Sequence, residues 1–347
     1  MSFLFKPLAL VSTLAFSTLG LLSRRYQKAR FYFHLTLYMS TMGVISIWGV
    51  VISILATAAG QRLNINYLVA RSFYGACSPL IGIKFEVEGE EHLARLLTAR
   101  GGRPQSAVLV GNHQSTLDIL YLGRIFPQRA AIMAKQELKW APLLGQYMSL
   151  SGAVFVNRKN RKDAVKTMQQ AGDDMKKKGV SLWVFPEGTR SSSANNALLP
   201  FKKGAFHLAV QAQVPIIPVV CENYHRLFDG RTRMESGILR IRILPPIVTT
   251  GLSSDDVTPL AESTRQSMLD ALNQISVAGP SSQPDIPIDS AEAEPVPTSL
   301  APEETAQVDE GVRQRSASAE TEKERSGETT EDEMDDDAVL LKRPKAD

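Results

Sequence analysis

Cysteine is nearly absent from this chain: its 347 residues include two, Cys77 and Cys221. Neither forms a C-x-x-C pair, so neither a disulfide framework nor a zinc site is indicated, and the active face is expected in a reducing compartment. Histidine is almost as scarce. The five, His34, His92, His113, His207 and His225, show no H-E-x-x-H or comparable spacing, so no metal and no bound cofactor is expected. A G-x-S-x-G elbow is also missing, which removes the usual nucleophile of a serine hydrolase.

Net charge is small, +3, but it is unevenly distributed. From Pro280 onward there are 19 acidic and 7 basic residues, a net of −12, which leaves +15 on residues 1–279. The basic body suits an anionic partner. Two apolar runs near the N-terminus favour a phospholipid membrane over nucleic acid as that partner. The tail, 277–347, is rich in Pro, Ser, Glu, Ala and Thr and nearly free of aromatics. It has too little apolar surface to offset the entropy of ordering and is expected to be disordered, with unknown partners.

The first apolar run, Pro7 to Leu22, is marginal as a membrane span, and a cleaved signal peptide is a competing reading. The second, Phe31 to Ala59, is long enough to cross roughly 30 Å of hydrocarbon. Between them Arg24, Arg25, Lys28 and Arg30 favour a cytosolic loop, which leaves the topology open. Either a third crossing follows, at Tyr67 to Ile83 with Arg71 inside it, or the two runs form a monotopic hairpin. Residues 1–66 are read as membrane-anchoring segments, 67–276 as the catalytic domain and 277–347 as the tail.

Within 85–275, short β-rich runs alternate with helical patterns. Ala107–Val110, Ala131–Met133, Ala153–Val156, Val180–Phe185 and Ile216–Val220 read as strands. Ala164, Met168, Ala171 and Met175 share one helical face, with Gly179 as a stop. Leu239–Leu244 alternates apolar residues with Arg240 and Arg242, as a half-exposed strand near a sheet edge would. The expected fold is α/β: a mixed sheet flanked by helices, with N-terminal anchoring helices and an acidic tail.

Two strings carry chemistry. In Asn112-His113-Gln114-Ser115-Thr116-Leu117-Asp118, a strand ends just before Asn112 and a helix can begin near Ser115, so His113 lies on the turn between them. On an ideal helix, residues five apart point about 140° away from each other. His113 therefore meets Asp118 only if it stands outside the helix. Asp118 would then set the imidazole tautomer, as in a triad without its nucleophile; Ser115 is better suited to starting the helix. In Phe185-Pro186-Glu187-Gly188-Thr189-Arg190, Gly188 allows close backbone approach and Arg190 can fork onto phosphate; Glu187 and Arg190 pairing with each other is the structural alternative. Lys135, Arg158, Lys202 and Lys203 are further cations, the first two close to the ends of expected strands.

These strings resemble the blocks of the glycerolipid acyltransferases. N-H-Q-S-T-L-D looks like their N-H-x-x-x-x-D signature, Gly152-Ala153-Val154-Phe155-Val156-Asn157-Arg158 their second block, F-P-E-G-T-R their third and Val214-Pro215-Ile216-Ile217-Pro218-Val219 their fourth. All four occur in order. The chain looks like a fungal, microsomal 1-acylglycerol-3-phosphate acyltransferase. The resemblance implies His113 as base and Asp118 as its partner. It also implies that Glu187, Gly188, Thr189 and Arg190 bind the acceptor's glycerol phosphate, with Arg158 and Lys135 as added cations. The implied reaction moves an acyl group from acyl-CoA, as co-substrate, to the sn-2 hydroxyl of lysophosphatidic acid, at the endoplasmic reticulum with the site facing the cytosol, or at lipid droplets if the anchors form a hairpin. Glycerol 3-phosphate or another lysophospholipid as acceptor, or an inactive membrane adaptor, are the alternatives.

Overall fold

The computed structural model describes residues 2–94, 105–157 and 161–277, so Arg158 and the acidic tail beyond Val277 lie outside the described residues. Helix α1 (Ser2–Ser23) turns through the basic segment into α2 (Gln27–Ala58), which is long and apolar enough to cross a membrane by length and composition, with a mean hydropathy of 2.0. One face of α2 is nonetheless occupied by protein. Phe31, Tyr38, Gly49, Ser53 and Ala56 are buried along it. The Tyr38 hydroxyl donates to the Thr116 carbonyl at 2.7 Å, His34 Nδ1 donates to the Met234 carbonyl at 2.8 Å, and Arg30 pairs with Glu235 at 2.6 Å.

Helix α3 (Ile65–Ile81) covers the run considered as a third crossing. Ile65, Val69, Phe73, Cys77 and Ile81, four residues apart, form a single buried stripe, and Arg71 donates to the Arg124 carbonyl. These residues form a packing helix of the α/β unit. Gly82 ends it at φ 70°, where a Cβ would stand 2.4 Å from Ser236 Oγ.

Strand β1 (Ile83–Glu88) follows, then α4 (Glu90–Ala94), β2 (Val108–Gly111), α5 (Asp118–Ile125) and β3 (Ala130–Lys135). Next come α6 (Leu144–Leu150), β4 (Val154–Val156), α7 (Arg161–Lys178), β5 (Ser181–Val184), α8 (Gly204–Ala212), β6 (Ile216–Cys221), β7 (Gly237–Ile243) and α9 (Val257–Ile275). The sheet runs β1-β7-β6-β2-β5-β3-β4. From β6 to β4 every neighbouring pair is parallel; β7 runs antiparallel to β6 and parallel to β1. The half-exposed pattern at 239–244 is explained by β7 lying one strand in from the edge. The edge itself, β1, was not anticipated, although Ile83, Phe85 and Val87 alternate with Lys84, Glu86 and Glu88 in strand fashion. The apolar helix directly before it obscured the change of period.

Alternation along β2 divides the core. Leu109 faces the α2, α3 and α5 side with Trp183, Ile217 and Phe73, whereas Val108 and Val110 face Leu182, Phe206, Leu208 and Met268 on the other side. Each such fully buried side chain contributes about 1.5–3 kcal/mol relative to exposure. Where β2 ends, Gly111 lies against the Trp183 indole, and a Cβ there would stand 2.5 Å from Cζ2 of that ring. Tyr121, Phe126 and Phe185 surround the indole and leave it no room to move. Gly111→Ala should therefore lower stability by about 1–3 kcal/mol through overpacking. Thermal unfolding of the detergent-solubilised protein checks this, and an unchanged midpoint would show that the aromatic cluster can yield.

Candidate active site

The chain leaves β2 through a turn held by its own side chains. Asn112 is buried; its Oδ1 accepts from the Cys221 amide at 2.9 Å and its Nδ2 donates to the Cys221 carbonyl at 2.9 Å, closing a two-bond ring onto the end of β6. Gln114 Nε2 donates to the carbonyls of Cys221 and Glu222, at 3.2 and 2.9 Å. With both neighbours fixed, His113 is left on the outside of the turn. Its side chain is 20% exposed, and its ring stacks on Phe185 with centroids 4.1 Å apart and planes 17° apart.

The five-residue spacing to Asp118 is resolved by where α5 begins. Asp118 is its first residue, so positions 113–117 form the turn instead of helix. The carboxylate is 1% exposed, and its Oδ2 accepts from Gln114 N at 2.7 Å, Ser115 N at 3.1 Å and His113 Nδ1 at 2.6 Å. An oxygen that already accepts two backbone donors presents itself to the imidazole as an acceptor. The proton therefore sits on Nδ1, and Nε2 keeps a free lone pair. A group held this way can take a proton from a hydroxyl placed before it.

The second string leaves β5 and returns to the first. Glu187, 3% exposed, accepts from the His113 amide at 2.7 Å through Oε1 and from the Leu199 amide at 3.0 Å through Oε2. Ser191 N donates to the His113 carbonyl at 2.9 Å. Both carboxylate oxygens of Glu187 are thus engaged by backbone. Its geometry is that of a brace between the two loops. Burial pushes its carboxyl above the ordinary range, opposed by the two amide donors. The alternative pairing of Glu187 with Arg190 is not what forms.

Gly188 adopts φ 71° and lies under the Lys202 side chain, with a Cβ position 2.8 Å from Cε. Thr189 and Arg190 are exposed, and Arg190 has no acidic partner among the described residues. Lys135 is exposed at the C-terminal end of β3. Since Ile132 pairs with Trp183, Lys135 is level with Pro186, and two strand spacings put it about 10 Å from the line of β2. Arg158 is two residues past β4, outside the described residues.

Several contributors were not anticipated. Asn112 and Phe185 lie inside the two strings, yet no spacing rule announces a backbone clamp or a ring stack. Tyr224, whose hydroxyl donates to Asp118 Oδ1 at 2.5 Å, had no local signal at all. A cavity of about 310 Å³ opens at the opposite end of the strands, among Arg62, Ala131, Val154, Met175 and Leu182, well away from His113. Beside His113 there is a cleft of about 20 Å³ lined by Gln114, Ser115, Ser191, Ser192, Tyr224 and His225.

The acyltransferase family model matches residues 84–222. An uncharacterized acyltransferase of Schizosaccharomyces pombe is 41% identical over 71% of this chain and 86% of the relative. The 1-acyl-sn-glycerol-3-phosphate acyltransferase of Saccharomyces cerevisiae is 39% identical, covering 71% of this chain and 78% of its own. The alpha form from Homo sapiens is 43% identical over 58% of this chain and 68% of the relative. The crystal structure of the 1-acyl-sn-glycerophosphate (LPA) acyltransferase PlsC from Thermotoga maritima superposes with a TM-score of 0.57 at 24% identity, covering 72% of this chain and 97% of that one, and shares the fold. The chain belongs to the acyltransferase family, in the group whose yeast and mammalian members are named 1-acyl-sn-glycerol-3-phosphate acyltransferases.

Proposed function

We propose that this protein transfers an acyl group from acyl-CoA to the sn-2 hydroxyl of 1-acyl-sn-glycerol 3-phosphate, giving phosphatidic acid and CoA. The observation that carries the reading is the His113–Asp118 pair held in the Nδ1–H tautomer beside a cationic strand edge, in a chain 39% identical to a yeast enzyme of that name. Nε2 of His113 removes the hydroxyl proton as the oxygen attacks the thioester carbonyl. The C–S bond then breaks, and the imidazolium returns the proton to the departing thiolate, whose conjugate acid has a pKa near roughly 8.5. No covalent acyl-enzyme is required. Ser115 Oγ, the nearest hydroxyl to the pair in sequence, is engaged by Leu117 N and Tyr224.

Arg190 and Lys135 receive the acceptor's phosphate, with Gly188 and Thr189 providing close backbone approach; Arg158 joins them on the family resemblance alone. Membrane seating follows from the anchors. The outer faces of α1 and α2 expose Leu14, Leu21, Val44, Ile47 and Ile54, and the inner face of α2 is bonded to the catalytic turn. A hairpin lying in the bilayer interface satisfies both faces, while an α2 that crossed the bilayer independently would abandon the inner contacts. The endoplasmic reticulum, with the site on the cytosolic face, is the membrane we assign, on the likeness to microsomal members.

His113→Ala should lower kcat by about 10² to 10⁴ while membrane recovery is unchanged; near-normal turnover would sink the assignment. Arg190→Ala should raise KM for lysophosphatidic acid and leave that for acyl-CoA alone, and a rise confined to acyl-CoA would move Arg190 to the phosphates of CoA. Glu187→Gln sets an amide NH2 against a backbone N–H, so unfolding free energy and kcat should fall together, the former by about 1–3 kcal/mol. A higher KM for the acceptor with intact stability would instead return Glu187 to the substrate.

A further inference from the structure

Asp118 is held from a second direction by a residue that lies beyond β6. We propose that Tyr224 is a positioning residue of this centre: its phenol fixes the rotation of the Asp118 carboxylate and, through it, the ring of His113. The inference rests on the reading of His113 as base. Tyr224 is 2% exposed, and its hydroxyl lies 2.5 Å from Asp118 Oδ1 and 2.8 Å from Ser115 Oγ.

The direction of every proton in this cluster can be worked out. Asp118 already accepts from Gln114 N and Ser115 N, so the single phenolic proton of Tyr224 goes to Oδ1. The Ser115 hydroxyl must then donate to the phenol oxygen, and its own oxygen accepts from Leu117 N at 3.0 Å. The result is a chain from Leu117 N–H through Ser115 and Tyr224 to Oδ1, opposite the His113 Nδ1–H that meets Oδ2. Burial, with the Asp118 charge adding to it, pushes the phenol well above its usual range, so Tyr224 remains a donor throughout the pH range in which the base works.

The division of labour between the two oxygens gives Tyr224 its importance. Oδ2 has three donors, whereas among the described residues Tyr224 alone donates to Oδ1. Without that donor, Oδ1 is an unsatisfied acceptor on a carboxylate that is 1% exposed, and rotation about Cβ–Cγ is no longer opposed. Rotation would swing Oδ2 away from Nδ1 and release the tautomer. The phenol is delivered by rigid backbone: the Tyr224 amide donates to Gln114 Oε1 at 3.4 Å, and its carbonyl accepts from Leu227 N at 2.8 Å and Phe228 N at 2.9 Å. Gln114 is also tied to Cys221 and Glu222, so the turn bearing the base and the loop bearing the phenol form one network.

The test uses the full-length protein in membranes, with lysophosphatidic acid and oleoyl-CoA. Tyr224→Phe keeps the ring and removes only the donor. It should lower kcat roughly 10- to 100-fold, the usual cost of losing a partner that orients a functional side chain, with KM for both substrates unchanged. In an Asp118→Asn background the same substitution should cost little more, because the phenol acts through that carboxylate. Wild-type kcat in Tyr224→Phe, an equal loss in both backgrounds, or a loss expressed in KM would each overturn the proposal. Inactive His113→Ala beside unimpaired Tyr224→Phe would remove the role of Tyr224 alone, whereas active His113→Ala would remove the catalytic reading beneath it.

Discussion

The buried carboxylate of Glu187 is the constraint on which the rest of the site depends. It bridges the amide of His113, 74 residues earlier in the chain, to the amide of Leu199, and so joins the turn after β2 to the loop after β5. A carboxylate accepting two backbone donors in a dry environment is rigid, and its removal would leave both amides without partners. The stack of His113 on Phe185 and the bond from Ser191 to the His113 carbonyl rest on that junction.

Around this junction the parallel strands bring their C-terminal ends together. β2 leads to His113, β5 to Glu187 and the exposed Arg190, β3 to the exposed Lys135, and β6 to the peptide to which Asn112 and Gln114 are clamped. Strand order matters more than chain order here. β5 returns between β2 and β3, and β6 crosses to the other flank of β2, so segments far apart in sequence flank His113 on both sides. Helix α2 contributes too, since Tyr38 bonds to the Thr116 carbonyl inside the turn after β2. Helix α2 and the His113 turn therefore share one packed core.

Much of this was legible in the chain. Six of the seven strands follow from β-rich runs, the helix at 161–178 from its apolar face, and the placement of His113 on a strand-to-helix turn from the end of β2. The start of α5 at Asp118 was less legible, because Ser115 is a good helix starter. Its hydroxyl instead accepts from Leu117 within the turn, and the Asp118 side chain caps the amides of Gln114 and Ser115. Two apolar segments before the domain left the topology open for a related reason. Hydropathy measures length and composition, and it is blind to the buried stripe of α3 and the docked face of α2.

The sequence by itself determined the family and singled out the His113–Asp118 pair and the nearby cations as candidates, because these are written as residue types at short, characteristic spacings. Only the tertiary structure decided that Glu187 joins the amides of His113 and Leu199, that Asn112 and Gln114 clamp the turn, and that Tyr224 reaches Asp118 from 106 positions away. The physical reason is that a hydrogen-bonding side chain carries no record of its partner. A carboxylate on a glycine-bearing turn could meet a ligand or a backbone amide equally well, and only the folded chain brings the amides of His113 and Leu199 to Glu187.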